Sequence, residues 1–139
     1  MNIILSIKPK WAELIYSGKK TIEWRKSFPT REYIECVYLY ETAPVKKVTG
    51  FFKYNYYYSL VFGVTKDGKP ADGAQVLIDR GCVSLDDLKK YAGNTKELFG
   101  WKIKNPQKYK EPLNLSFFNF ERPPQSWCYD YSDLPELPF

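Results

Sequence analysis

The residues whose types and spacing best suit chemistry are Lys20, Thr21, Glu23 and Arg25, with Lys8 and Lys19 as nearby helpers. Thr21-Ile22-Glu23-Trp24-Arg25 alternates polar with apolar, which predicts a strand with Thr21, Glu23 and Arg25 on one face and Ile22 and Trp24 on the other. A lysine that is partly desolvated, or held near another cation, loses its proton more easily and can serve as base or nucleophile; a carboxylate beside it has the opposite effect. Charged, such a cluster binds a phosphate or a base carbonyl. Neutral, its lysine attacks or activates water. Were these side chains solvated, Glu23 and Arg25 would form only a weak surface ion pair.

The elements that must position this cluster are legible on either side of it. Ile3 to Ile7 is a short apolar run that reads as a buried strand, and Pro9 ends it, leaving Lys8 at the junction with a helix. Trp11, Leu14 and Ile15 recur at the spacing of one helical face, and Gly18 stands where a glycine cap closes a helix. The cluster therefore follows directly on a helix C-terminus.

Composition narrows the chemistry. The chain of 139 residues contains no histidine, which removes Ser-His-Asp and Cys-His nucleophilic schemes and His-ligated zinc. Any catalysis must run on Lys, Glu, Asp, Thr, Tyr or Cys. Cys36, Cys82 and Cys128 lack metal-ligand spacing and suit free thiols in a reducing compartment. Neither a metal nor another cofactor is expected. A net charge of +5 favours a polyanionic partner or acidic substrate, and 18% aromatic residues supply rings of the kind on which unpaired bases stack. No apolar span suits a membrane and no secretory signal opens the sequence, so a cytoplasmic protein is expected; the sequence leaves the oligomeric state open, with a monomer favoured. The length fits one domain over 1–139.

Further along, Tyr33 to Tyr40 reads as a strand with Ile34, Cys36, Tyr38 and Tyr40 on one face, and Lys47 to Tyr54 as another interrupted by Gly50. A glycine there signals a bulge, a barrel corner or a close approach by another backbone or a ligand. Gly63, Gly68, Gly73 and Gly81 punctuate a polar stretch in which Pro70 is placed to start a short helix. Ser84 caps a clearer helix with Asp86 and Asp87 in its first turn and Gly93 at its end. Leu98 to Lys104 alternates as a strand that Pro106 should stop, and Gln107 to Gln125 reads as irregular. Tyr54 to Tyr58 is either a packed strand end or a stacking surface. Trp24, Trp101 and Trp127 read as core. Few helices and many strands point to an α+β mixed β-barrel.

Three stretches, LSIKPKWAELIYSGKKTIEWR at 5–25, TAPVKKVTGFF at 42–52 and RPPQSWCY at 122–129, together resemble ASCH-domain proteins of the PUA-like superfamily. The family's Gly-x-Lys-Thr-x-x-x-Arg motif is matched by Gly18, Lys20, Thr21 and Arg25. The resemblance implies a mixed barrel of about five to seven strands with flanking helices. It also implies a cleft between helix and barrel that binds RNA or a modified nucleoside through Lys8, Lys19, Lys20, Arg25, Tyr40 and Thr42. The paired prolines of RPPQSW would hold an extended plug forming one wall. One branch of the family removes the acetyl group of N-acetylated cytidine with a Lys, a Thr and a Glu. Its lysine matches Lys20, but Glu23 stands where its threonine belongs, with Thr21 as the nearby hydroxyl; Asp86, Asp87 and Glu97 are candidates for its acid. Ribonuclease activity is the other enzymatic alternative, and either would run on Lys20, Thr21 and Glu23.

Overall fold

The first strand, β1 (Asn2–Ile7), is apolar at four of its six positions, and both its faces and both its edges are covered. It pairs in parallel with β3 (Cys36–Glu41) on one side and antiparallel with β6 (Trp127–Asp130) on the other. The computed structural model describes residues 1–31, 33–62 and 73–131. With β2 (Ile22–Arg25), β4 (Lys47–Val61) and β5 (Glu97–Leu113), the strands form a mixed six-stranded sheet in the order β2-β5-β4-β3-β1-β6, curled into a half-barrel. Helices α1 (Pro9–Tyr16), α2 (Ala74–Arg80) and α3 (Leu85–Ala92) complete the α+β fold. None of the helices among the described residues is long and apolar enough to cross a membrane.

Three apolar clusters hold this arrangement. Ile3, Leu5, Val37, Leu39, Phe52 and Trp101 pack under Ala12 and Ile15 of α1. On the opposite face of β1 and β3, Ile4, Tyr38 and Tyr40 pack with Phe51, Tyr109 and Phe118. Both faces of β3 are therefore buried, as its alternation predicts. Ile22, Trp24, Leu60 and Leu98 meet Ile78 of α2 and Leu88 of α3. The two outer strands, β2 and β6, are joined by side chains rather than by a ladder among the described residues. Trp101 and Trp127 meet edge to face at 5.3 Å, and their indole N–H groups donate to the carbonyl and the hydroxyl of Ser27.

Two strands run longer than the local pattern suggests. β5 does not stop at Pro106 but continues to Leu113, so the first part of the expected irregular segment is strand. Lys104 pairs with Lys53 and Gln107 with Phe51, leaving Asn105 and Pro106 opposite Phe52 alone. Asn105 adopts a φ of +46°, and the proline sits in the resulting bulge, where its missing N–H costs no ladder bond. β4 likewise continues from Tyr54 through the tyrosines to Val61, and β3 begins at Cys36 rather than Tyr33. Gly50 marks both a bulge and a close approach: a Cβ there would lie 2.1 Å from the Gln107 carbonyl oxygen. The helix expected from Pro70 is present from Ala74 and ends at Gly81; Gly63, Gly68 and Pro70 lie outside the described residues.

Candidate functional site

Helix α1 begins with Pro9 at its first position and ends where Gly18 takes a φ of +84°. The chain then doubles back, so that Gly18 N–H donates to Ile15 O and Lys20 N–H to Leu14 O, each at 3.0 Å. This reversal tucks the Lys20 side chain beneath the helix, where only 2% of the residue remains exposed. Its ammonium donates to the Gly81 carbonyl at 2.6 Å, lies 3.4 Å from Glu23 Oε1, and sits 5.1 Å from the centre of the Trp11 ring.

Glu23 continues the line. Its Oε2 lies 3.3 Å from Arg25 Nη2, which also donates to the Ser6 carbonyl at 2.8 Å, while Nη1 donates to Ser126 Oγ at 3.1 Å. A buried polar chain thus runs from Gly81 through Lys20, Glu23 and Arg25 to β1 and the residue before β6. Arg25 thereby fastens β2 to the opposite side of the half-barrel. Burial by itself would push the Glu23 carboxyl up, but the Lys20 ammonium and the Arg25 guanidinium outweigh it and hold the group below its ordinary value. Glu23 is thus an ionised acceptor between two donors.

Above this chain opens a cleft of about 460 Å³. Lys20, Glu23 and Arg25 line its depth, Lys8 and Trp11 line it from the start of α1, and Asp87 and Tyr91 line it from α3. The α3 wall is built as the sequence predicts, with Ser84 Oγ accepting from Asp87 N–H at 3.0 Å and Gly93 closing the helix. Gly81 must be small here, since a Cβ would come within 2.7 Å of the Trp24 indole. Among the described residues, no three His, Cys, Asp or Glu side chains are grouped to hold a metal ion.

The structure brings Lys8, Lys20, Glu23, Arg25 and Thr42 into this one cleft. Lys19 and Thr21 are exposed and do not line it; the Lys19 carbonyl accepts from Cys82 Sγ, and Thr21 N–H donates to Arg80 O. Tyr40 is 7% exposed in the second apolar cluster and does not line it either. Of the three candidate acids, Asp87 lines the cleft, Asp86 is exposed, and Glu97 accepts from Ser59 Oγ on β4. Gln125 joins the lining, and Ser126 reaches it through Arg25, while Pro123 and Pro124 do not line it. Neither Tyr91 nor the Gly81 carbonyl carries a sequence signal of its own: Tyr91 falls on the apolar stripe of α3 with Leu85 and Leu88, and nothing in a sequence marks a backbone acceptor.

A family model described as ASCH domain matches residues 5–113. Over 48 residues the chain is 42% identical to a protein of Zymomonas mobilis subsp. mobilis named ASCH domain-containing ribonuclease, an alignment covering 34% of this chain and 32% of that one. The matched stretch therefore spans about a third of that relative's length. Among solved structures, the fold superposes on the crystal structure of ASCH from Zymomonas mobilis with a TM-score of 0.72 at 24% identity, covering 92% of this chain and 86% of the other. A tyrosine-to-phenylalanine and a serine-to-alanine mutant of the Zymomonas protein give TM-scores of 0.70 and 0.71, again at 24% identity. Each covers 92% of this chain, with 88% and 87% of the respective mutant chains. At that identity the likeness concerns the fold.

Proposed function

The chain belongs to the ASCH domain family, and from that premise we propose that its cleft holds one unpaired nucleotide of a single-stranded RNA. The observation that carries this reading is the buried chain from Lys20 through Glu23 to Arg25 along the depth of a cleft of about 460 Å³. That volume falls among small-ligand sites, which pair apolar walls with a few fixed polar groups. An ionised carboxylate between two donors complements a base edge that offers an N–H beside a carbonyl. Such edges are free only when the base is unpaired, which favours single strands over duplexes. Trp11 and Tyr91 supply rings for stacking, and the exposed Lys8 is placed to meet a phosphate.

Fluorescence anisotropy with a labelled mixed-sequence RNA tests this. The single strand should bind, its affinity should fall with salt, and the matching duplex should bind more weakly. Lys8→Ala should reduce the slope of log affinity against log salt by about 0.7, the loss of one phosphate contact. Equal affinity for the duplex, or a salt slope unmoved by Lys8→Ala, would sink the reading.

A second reading, cleavage of the bound RNA, is supported by the name of the curated relative. Among the described residues, Asp87 is the cleft carboxylate outside the buried chain, so it is placed to accept the proton of a 2′-hydroxyl. The 2′-oxygen would then attack phosphorus, the bond to the 5′-oxygen would break, and the departing oxygen would take a proton from Lys8 or water. Chromatography of RNA, and separately of acetylcytidine, after incubation with EDTA present distinguishes the cases. Fragments lost in Asp87→Asn establish cleavage, release of cytidine establishes an amidohydrolase, and intact substrates with retained RNA leave binding alone.

A further inference from the structure

Outside the cleft, β4 and β5 carry a second grouping of rings and cations. Tyr56 and Tyr58 meet edge to face at 5.3 Å, with their hydroxyls 3.0 Å apart. Lys102 donates to Tyr56 Oη at 2.8 Å and lies 4.9 Å from the centre of that ring. Tyr56 is nevertheless 39% exposed. Arg80, at the end of α2, acts electrostatically on both Tyr58 and Lys102, and Lys104 acts on Tyr56. The carboxylate next to Arg80 in sequence, Asp79, is engaged by Gln75 Nε2 at 2.8 Å. The patch therefore presents three cations around one exposed ring, Tyr56, backed by the half-buried Tyr58.

This patch adjoins the cleft through β2. Ile22 pairs with Lys102, Thr21 O accepts from Ile103 N–H, and Thr21 N–H donates to Arg80 O. Lys20, in the depth of the cleft, precedes Ile22 by two residues. Strand rise and strand spacing then place the Lys102 backbone within about 10 Å of the Lys20 backbone. The patch thus lies one strand away from the floor of the cleft.

Resting on the RNA reading above, we infer that Tyr56, Lys102 and Arg80 form a second contact for the same RNA strand. The exposed Tyr56 ring stacks on a base, and Lys102 and Arg80 take phosphates. Rings held among cations suit a chain of alternating bases and phosphates, whereas an acidic peptide would use the cations and leave the ring idle. The contact is tolerant of sequence, because every base has a face to stack and every linkage a charge.

The test compares a dinucleotide, which fills the cleft alone, with a decamer, which also reaches the patch. Wild-type protein should bind the decamer at least tenfold more tightly. Tyr56→Ala should weaken the decamer about tenfold, Tyr56→Phe should retain it, and Lys102→Ala with Arg80→Ala should lower its salt slope by about 1.4. Dinucleotide affinity should stay within twofold in every variant, which also reports that the cleft is still folded. A decamer bound no better than a dinucleotide, variants that weaken both ligands alike, or polyglutamate displacing the decamer as well as RNA does would each overturn the second contact while leaving the cleft reading standing. Wild-type protein that bound neither ligand would remove both.

Discussion

Lys20 and Lys102 are held in the same way, each by an oxygen and an aromatic ring. Lys20 has the Gly81 carbonyl at 2.6 Å and Trp11 at 5.1 Å; Lys102 has the Tyr56 hydroxyl at 2.8 Å and the ring of the same residue at 4.9 Å. What separates them is burial. Lys20 is 2% exposed and shares its surroundings with Glu23 and Arg25, whereas Lys102 has water as an alternative partner. Comparable contacts are thus replaceable on the surface and obligatory inside. The buried set gives up adaptability for fixed geometry, which suits reading one base, while the exposed set suits a mobile strand.

Removing the middle of the buried chain is the strongest way to break this contrast. Glu23→Leu leaves two cations facing each other without their carboxylate and should cost about 3–5 kcal/mol in urea unfolding. Lys102→Ala should leave the urea midpoint where it is. A small loss for Glu23→Leu would mean that water reaches Lys20 and Arg25, and the two lysines would then be alike. Arg25→Lys is a milder version. It keeps the charge but loses the fork that reaches both Ser6 O and Ser126 Oγ, so a loss of about 1–3 kcal/mol is expected, with faster proteolysis near Ser126 as the two sides of the half-barrel loosen.

Acid titration sharpens the same point with a sign. Burial favours the neutral Glu23 carboxyl, but Lys20 and Arg25 reverse that and hold it below its ordinary value of 4.5. A folded-state value below the unfolded one stabilises the protein above the unfolded value, and this stabilisation is lost as pH falls through the folded one. The urea midpoint of the wild type should therefore drop below pH 4.5 more steeply than that of Glu23→Gln. A shallower drop would mean that burial, not the two cations, governs this carboxyl.

The parts of the site written in neighbouring residues could be read directly. Gly18 closed α1, Ser84 capped α3, and alternation brought Glu23 and Arg25 together. The same alternation grouped Thr21 with them, yet Thr21 precedes the ladder and spends its backbone groups on Arg80 and Ile103 instead. The rest depends on partners far along the chain: Gly81 for Lys20, and Ser126 for Arg25. A period of two assigns Tyr40 to a face with Tyr38, but it does not say that Phe118 from the 3-10 turn Leu115–Phe118 will cover that face. Pro106 misled because a bulge depends on the register of a neighbouring strand, and register is a property of the pair.

The smallest expected effect lies at the exposed end of the comparison. The Lys102 hydrogen bond, with a further contribution from Tyr58, favours the Tyr56 phenolate, so this phenol should titrate below its ordinary 10.0 while the Lys102 ammonium titrates above its ordinary 10.5. In ¹³C spectra of ring-labelled protein, Lys102→Ala should move the Tyr56 titration back up without disturbing Tyr54, whose phenol burial pushes up to about 12. Binding of the decamer should move it as well, because a phosphate drawing on Lys102 competes with the phenolate for the same cation. The dinucleotide should leave it unchanged. A Tyr56 titration that ignores both Lys102→Ala and the decamer would show that the lysine and the ring are neighbours without being partners, and the resemblance between Lys102 and Lys20 would then be one of distances only.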